Sequence, residues 1–358
     1  MISISDPNPV QANLIGRSSR YIVSGMDVGD LAVIIPQVHS WEDWRVKVCD
    51  YAQERLRLAE ESRQAGHLRS AGEYYVAAAI YFHFAQLGYF EDDEKKYATA
   101  AQAHASHKKA FDLVDPPVRE LRISFRGAEL IANVRIPASK DPVASVILLP
   151  GADSTKEEMI TFESVLHARG MATVAFEGPG QGEVVQSLPL IEDYETAVTA
   201  LMDALGTISS LDPDRIGLYG RSLGGFLAPR VAALEPRIAA VVSAGGFYAF
   251  KWDDYSEQLK RFFCYCWGYR DLDEGAKRAR RSTLSGLIQK ISCPFLVVHS
   301  GKDPFFSEAE AARMVSEAAC DAMLKIYPEG THVCDNIPYK YRPFVADWFA
   351  DKLRVNAT

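Results

Sequence analysis

The sequence predicts an α/β protein in which a mostly parallel sheet, covered by helices on both faces, follows a helical N-terminal region. Two observations lead to this prediction. From Ser40 to about Leu113 apolar residues recur at helical spacing, whereas after Pro116-Pro117 short apolar runs alternate with helical stretches. Buried parallel strands have such continuous apolar runs, and crossover helices cover both faces of the sheet. The 358 residues suffice for one large domain and an accessory one.

The N-terminal region, residues 1–115, is predicted to be a helical cap domain. Its first clear helix, SWEDWRVKVCDYAQERLRLAEESRQAG, begins at the N-cap residue Ser40 with an acidic first turn and ends at Gly66. Two further helical segments follow, LRSAGEYYVAAAIYFHFAQLGYF and DDEKKYATAAQAHASHKKAFDLV. The first two segments resemble a tetratricopeptide-like hairpin, but no third clean repeat is present. We therefore expect a cap on the larger domain rather than a solenoid or a separate partner-binding module.

Residues 116–358 are predicted to form the larger domain. VRELRISFRGAELIANVRIP alternates polar and apolar residues on both sides of Arg126-Gly127, as an antiparallel hairpin does. Short apolar runs typical of buried strands follow it. These runs are SVILLPG (145–151), MATVAFEG (171–178), RIGLYG (215–220), IAAVVSAGG (238–246), PFLVVHSG (294–301) and MLKIYP (323–328).

An insertion at about residues 247–292 separates two of these runs and is far longer than a usual strand-to-strand crossover. Long insertions in such folds tend to be lids. We expect most of its aromatic residues to pack an extra helix on the domain and a minority to line a pocket for an aromatic ligand. They are Phe247, Tyr248, Phe250, Trp252, Tyr255, Phe262, Phe263, Tyr265, Trp267 and Tyr269.

The charge and composition of the chain limit the kinds of molecule that it is expected to bind. The formal net charge is −8 and the pI is about 5.6, so the chain lacks the basic surface that binds nucleic acid or an anionic membrane. Its six cysteines form no CxxC pair, and the N-terminus has neither the basic nor the apolar region of a secretory signal. No run reaches the roughly 18 apolar residues of a membrane span. We therefore expect a cytoplasmic protein that acts on a small molecule.

A candidate nucleophile lies in LYGRSLGGFLA, residues 218–228, where a strand pattern gives way to a helical one. G-x-S-x-G at such a junction is a nucleophile elbow, in which small neighbours permit a tight turn that exposes the serine hydroxyl. The pattern alone is common by chance. The strand before Ser222 and the helix after it make this serine the predicted nucleophile.

A serine nucleophile needs a base and a group that orients the base. Asp303 follows the strand in PFLVVHSGKDPFF, and His332 follows the last strand in KIYPEGTHVCDN. Their order after Ser222 is that of the α/β-hydrolase fold. The backbone N–H groups of Leu223 and of Ala152, after the strand in LLPGADSTKEE, are the predicted oxyanion-hole donors.

Other candidate motifs favour structural roles. His299 lies inside a strand and is expected to be a core histidine, and His104 and His107 share a helical face without a carboxylate or cysteine at ligand spacing. We therefore predict no metal site. FEGPGQGE (176–183) resembles a dinucleotide-binding fingerprint, but Pro179 and the missing downstream spacing favour a structural loop. No cofactor is expected.

PGADSTKEE, FEGPGQGE, GRSLGG, EPRIAAVVSAGGF and GTHVCDN, behind a helical N-terminal third, resemble one branch of the α/β-hydrolases. This branch includes 2,6-dihydroxypseudooxynicotine hydrolase, fungal polyketide-shortening hydrolases and fermentation-respiration switch esterase-like proteins. The resemblance extends from about residue 40 to the end of the chain. It implies an α/β-hydrolase fold with an N-terminal helical cap and a mid-chain lid, and a homodimer.

The resemblance also implies a serine hydrolase that cleaves a carbon–carbon bond next to a ketone in an aromatic or polyketide-like substrate. Some members are thought to use an extra acidic residue after GGF, where this chain offers Asp253 and Asp254. Together with Trp252 and Tyr248, these two are candidate substrate contacts. A carboxylesterase, a thioesterase and an acyltransferase with the same triad remain alternatives. So does a non-catalytic ligand-binding protein, against which the intact triad argues.

Overall fold

The computed structural model describes residues 4–355 and divides the chain into two compact units, residues 1–118 and 119–358. The predicted domain boundary lay between residues 115 and 116. In the described part of the chain no helix is both long and apolar enough to cross a membrane.

The N-terminal unit is helical. Its α-helices are α1 (Pro9–Gly16), α2 (Ser18–Ser24), α3 (Val28–Ile34), α4 (Trp41–Gln64), α5 (Leu68–Gln86) and α6 (Asp93–Ala110). Helix α4 begins with a capping box, in which the Asp43 N–H donates to Ser40 Oγ at 3.0 Å and the Ser40 N–H donates to Asp43 Oδ2 at 3.1 Å. Helix α5 packs against both α4 and α6, which explains why its aromatic residues are buried nearly all round.

The larger unit is built on a sheet of eight strands. They are β1 (Val118–Phe125), β2 (Ala128–Arg135), β3 (Val143–Leu149), β4 (Ala172–Glu177), β5 (Leu211–Arg221), β6 (Ala240–Ala244), β7 (Phe295–Ser300) and β8 (Ala322–Tyr327). The strand order is β1-β2-β4-β3-β5-β6-β7-β8. Strand β2 runs antiparallel to β4, and from β4 to β8 all neighbouring pairs are parallel. The predicted α/β-hydrolase fold is confirmed.

Helices cover both faces of this sheet, with an apolar core on each side. The helices of the unit are α7 (Ile160–His167), α8 (Glu195–Leu205), α9 (Leu223–Leu234), α10 (Glu257–Trp267), α11 (Leu272–Ala279), α12 (Glu308–Glu317) and α13 (Pro338–Lys352). Every residue of β3 and of β4 is buried, as their uninterrupted apolar runs predict. The predicted hairpin turn joins β1 and β2 at Arg126 and Gly127, whose φ angles of 49° and 82° are typical of a two-residue hairpin.

The mid-chain insertion contains α10, α11 and two short 3₁₀ turns between β6 and β7. Eight of its ten predicted aromatic residues are buried, and many are in ring contact with one another. Phe250, for example, lies 4.8 Å from Phe263 and 5.1 Å from Trp267, centroid to centroid. The insertion thus has an aromatic core of its own, as expected for most of these side chains.

Candidate active site

Ser222 lies in a sharp turn between the end of β5 and the first residue of α9. Its φ of 55° and ψ of −117° fall in a region that non-glycine residues rarely adopt. Small neighbours are required because a Cβ at Gly220 would lie 1.9 Å from the Gly224 carbonyl oxygen, and one at Gly224 would lie 2.3 Å from the Leu149 oxygen. The turn holds the half-buried serine at the carboxyl ends of the parallel strands.

Asp303 and His332 meet in the loops that follow β7 and β8. The Asp303 carboxylate lies 2.7 Å from His332 Nδ1, and its other oxygen accepts hydrogen bonds from the backbone N–H groups of Phe305 at 2.9 Å and Phe306 at 3.2 Å. The aspartate side chain is 1% exposed and the imidazole 20%. Burial alone would raise the pKa of Asp303, but the attraction and hydrogen bond of His332 outweigh it, so this pKa lies below its ordinary value. Asp303 is therefore an ionised partner that fixes the imidazole ring.

Two contacts bring the histidine loop to the serine turn. The Ser222 N–H donates to the Ala244 carbonyl at 2.9 Å, and the adjacent Gly245 lies so close to Val333 that an added Cβ would be 3.0 Å from the valine side chain. Val333 directly follows His332. Ser222, His332 and Asp303 thus lie at one edge of the sheet.

The loop after β3 passes beside the serine. A Cβ added to Gly151 would lie 3.2 Å from Ser222 Cβ, so the loop approaches closely only because this residue is glycine. Within residues 4–355, the backbone N–H groups of Ala152 and Leu223 donate to no protein acceptor. These are the two donors predicted for the oxyanion hole, and that role stays a prediction.

The residue before the serine, Arg221, ties three loops of the site together. Its Nη1 lies 3.0 Å from Glu158, in the 3₁₀ turn that ends the Ala152 loop, and its Nη2 lies 2.9 Å from Asp335, in the histidine loop. Ser154 adds a hydrogen bond to the same Glu158 carboxylate. Burial by itself would lower the pKa of Arg221, but Asp335 and Glu158 outweigh it and raise that pKa further. The guanidinium is therefore charged and paired with two carboxylates.

A second buried ionic cluster holds the same end of the Ala152 loop, at Lys156. Lys156 Nζ lies 3.1 Å from Glu157, 3.1 Å from Glu177 and 2.7 Å from Glu183. Both Glu177 oxygens also accept backbone N–H groups, from Lys156 at 2.9 Å and from Glu183 at 3.0 Å. Burial would lower the pKa of Lys156, but the three carboxylates keep that pKa above its usual range. Since Glu177 and Glu183 both belong to FEGPGQGE, this loop forms part of the cluster.

Comparisons with known proteins agree with this geometry. The profile described as Esterase FrsA-like matches residues 47–261. 2,6-Dihydropseudooxynicotine hydrolase of Paenarthrobacter nicotinovorans is 33% identical over 342 residues, which make up 93% of this chain and 91% of that protein. The chain belongs to the FrsA-like esterase family.

Two further likenesses support this assignment of the chain to the FrsA-like family. The crystal structure of 2,6-dihydroxy-pseudo-oxynicotine hydrolase matches with a TM-score of 0.87 and 30% identity, covering 95% of this chain and 97% of that one. The fungal hydrolase LUC6 of a Fusarium species is 32% identical, and the match covers 57% of this chain and 52% of that protein. The family predicted from sequence motifs is confirmed, and this FrsA-like protein is an α/β-hydrolase enzyme.

The two ionic clusters of this FrsA-like hydrolase could not be predicted from the sequence motifs. Arg221, Glu158 and Asp335 come from three distant parts of the chain, so no local spacing links them. For Lys156 and Glu177, however, the sequence does contain a sign that they are paired. Charged residues directly beside buried strand and turn patterns must find partners, because an unpaired buried charge is costly.

The remaining predicted residues have partners of other kinds. The Tyr248 hydroxyl donates to Glu317 at 2.7 Å, and the buried Trp252 ring lies 6.0 Å from that of Trp267. Asp253 and Asp254 are exposed. Their role as substrate contacts stays a prediction.

Of the histidines considered above, two pack inside their own units. His299 Nε2 lies 3.2 Å from the Phe306 carbonyl oxygen, and burial lowers the pKa of this imidazole. It is the core histidine that its position in a strand indicates. His107 lies on α6 with its ring edge-on to Phe111 at 5.3 Å, and His104 is partly buried on the same helix.

Proposed function

We propose that Ser222 is the nucleophile of a serine hydrolase, with His332 as its general base and Asp303 as the residue that orients the base. His332 would remove the serine proton as the serine oxygen attacks a substrate carbonyl carbon. The charge that develops on the carbonyl oxygen would be stabilised by the N–H groups of Ala152 and Leu223.

The rest of the cycle follows from the same groups. When the tetrahedral intermediate collapses, the bond to the leaving group breaks and the protonated His332 returns its proton to that group, leaving an acyl-Ser222 ester. A water molecule, deprotonated by His332, then attacks the ester and releases a carboxylic acid. One water is consumed, and Ser222 and His332 regain their starting protonation states.

The observation that supports this proposal most is the pairing of His332 Nδ1 with the ionised Asp303. A carboxylate at 2.7 Å from Nδ1 holds the proton on that nitrogen, which leaves Nε2 free to act as the base. The strained conformation of Ser222 adds support, because such backbone geometry persists where function requires it.

We further propose that the bond cleaved is a carbon–carbon bond next to a ketone in an aromatic or polyketide-like substrate. Similarity to a protein named 2,6-dihydropseudooxynicotine hydrolase supports this class. So do the aromatic rings of Phe305 and Phe306, whose centroids lie 4.9 and 5.6 Å from that of His332. The leaving carbanion must be delocalised as an enolate or into a ring, whereas an ester would need no such help.

The test is a comparison of kcat/KM between aryl ketones or 1,3-diketones and simple esters or acyl thioesters. We expect a ketone substrate to have the highest value, because specificity is set by differences in transition-state stabilisation. Slow hydrolysis of nitrophenyl acetate decides nothing, since any competent triad attacks this activated ester. A hundredfold advantage for long-chain esters or thioesters, about 2.7 kcal/mol in the transition state, would contradict carbon–carbon cleavage.

A carboxylesterase is the second candidate, supported by the match to the Esterase FrsA-like profile. The same serine, base and donors would act on an ester, and the alcohol would leave in place of the carbanion. The comparison of kcat/KM described above distinguishes the two candidates.

We also propose that residues 1–115 act as a cap, that the insertion at 247–292 acts as a lid, and that the chain is a cytoplasmic homodimer. None of the six cysteines is in a disulfide, which is consistent with a reducing compartment. Sedimentation equilibrium over a range of concentrations tests the dimer, and a monomer at all of them would contradict it.

A further inference from the structure

A cavity of about 150 Å³ lies beside α9, between this helix and the mid-chain insertion. Its apolar wall includes Phe226 and Leu227 of α9 and Phe250 and Trp267 of the insertion. The rings form a continuous surface, since Phe250 lies 5.3 Å from Phe226 and 5.1 Å from Trp267. An apolar cavity of this volume in another protein holds one benzene molecule. A single aromatic ring therefore fits.

Three arginines line the same cavity, and they differ in how far a carboxylate neutralises their charge. Arg230 forms a two-point ion pair with Glu195 at 2.7 and 3.1 Å. Arg281 is exposed, and no side chain within residues 4–355 pairs with it. The cavity thus presents a guanidinium that is available to a ligand.

The third arginine, Arg278, is more deeply placed. Its side chain is 11% exposed and pairs with Glu192, whose own side chain is 65% exposed. The buried Nε of Arg278 has no hydrogen-bond partner in the described chain. Burial holds the pKa of this guanidinium below the usual arginine value although the charge of Glu192 opposes it, and the charges of Arg281 and Arg230 lower this pKa further. The arginines at this end of the cavity therefore carry more positive charge than the nearby carboxylates neutralise.

An aromatic wall with guanidinium groups at its edge matches a ligand that has a ring and a carboxylate. Arginine binds carboxylates through paired N–H groups, and aromatic rings favour stacked or edge-on contacts. We propose that this cavity is a binding site for a small aromatic carboxylate, with the ring among Phe226, Phe250 and Trp267 and the carboxylate on Arg278 and Arg281. The exposed Glu192 carboxylate competes with the ligand for Arg278.

None of Ser222, His332 and Asp303 lines this cavity. Phe226 connects the two places, since its N–H donates to the Ser222 carbonyl oxygen at 3.1 Å and its ring stacks on Phe247 at 4.9 Å. Binding of the carboxylate does not require the proposed reaction, so the two proposals can fail independently.

The experiment is a ¹⁹F NMR titration of the full-length protein with 4-fluorobenzoate. Two matched ligands are compared with it. 4-Fluorobenzyl alcohol has the aromatic ring but no charge, and trifluoroacetate has the carboxylate but no ring. The variants are Arg281→Gln and Glu192→Gln, both at exposed side chains, and Arg278→Gln at the buried one. Arg261→Gln is the matched control, because Arg261 is an exposed arginine of the same insertion that pairs with Glu257.

We expect saturable binding of 4-fluorobenzoate with a millimolar or lower Kd, and binding at least tenfold weaker for each matched ligand. Arg281→Gln should weaken binding several-fold, Arg261→Gln should leave it unchanged, and Glu192→Gln should tighten it by freeing Arg278. The opposite effect of Glu192→Gln excludes a general loss of structure. Absence of saturable binding, equal losses in Arg281→Gln and Arg261→Gln, or weaker binding in Glu192→Gln would each overturn the proposal.

Discussion

Replacement of Arg221 by methionine should destabilise the protein strongly. The substitution keeps much of the side-chain volume but removes the only charge on the residue, and it leaves Glu158 and Asp335 buried with side chains 0% and 4% exposed. One oxygen of Asp335 already lacks a hydrogen-bond partner in the described chain. Removal of one partner from a buried ion pair typically costs about 3–5 kcal/mol, a large share of a total of about 5–15 kcal/mol.

The assay is urea denaturation followed by circular dichroism, together with kcat on an activated ester. We expect Arg221→Met to lose about 3–5 kcal/mol of the free energy of unfolding. The kcat should fall as well, because the serine turn, the Ala152 loop and the histidine loop all lose a shared contact. Arg221→Lys should recover only part of both, since an ammonium group cannot present the two-sided fork of a guanidinium.

Two controls make the result specific. In a triple variant, Arg221→Met with Glu158→Gln and Asp335→Asn, none of these three buried positions carries a charge, so most of the lost stability should return. Arg261→Met breaks a pair whose side chains are 51% and 64% exposed, and it should cost less than about 1 kcal/mol. A loss below about 1 kcal/mol in Arg221→Met, or a triple variant no more stable than the single one, would refute this reasoning.

Three more predictions concern the triad, a half-buried histidine and the cap. Ser222→Ala, Asp303→Asn and His332→Ala should each remove most turnover with unchanged circular dichroism, and the double variants should lose little more, because the residues act as a unit; additive losses would contradict this. Burial lowers the pKa of His167 to about 3, so the folded protein binds fewer protons than the unfolded chain below pH 6.5, and stability should fall as pH decreases from 6.5 towards 3. His167→Gln should reduce this pH dependence by about 3 kcal/mol at pH 4, and an unchanged slope in urea titrations would contradict the assignment. A chain of residues 119–358 alone should lose turnover and bind a hydrophobic dye, whereas full activity in that chain would argue against a cap.

Features with a local cause could be predicted from the sequence. The strands were found because buried parallel strands need continuous apolar runs, and the turn at Ser222 because its geometry tolerates only small neighbours such as Gly220 and Gly224. Helix α4 was predicted from its N-cap at Ser40 and begins one residue later.

Features that depend on long-range pairing could not be predicted. The ion pairs of Arg221 join residues 63 and 114 positions away, and sequence spacing carries no information about such contacts. The helices α1, α2 and α3 were also missed, because each has only seven or eight residues and too few turns to show a clear periodicity. The role of the triad stays a prediction.

The most direct test of the central claim, that Ser222 is a nucleophile activated by His332, is covalent labelling with a fluorophosphonate and peptide mapping by mass spectrometry. We predict one label per chain, on the peptide that contains Ser222, and a labelling rate at least a hundredfold lower in His332→Ala. A label on another residue, or an equal rate in the His332→Ala variant, would contradict the claim.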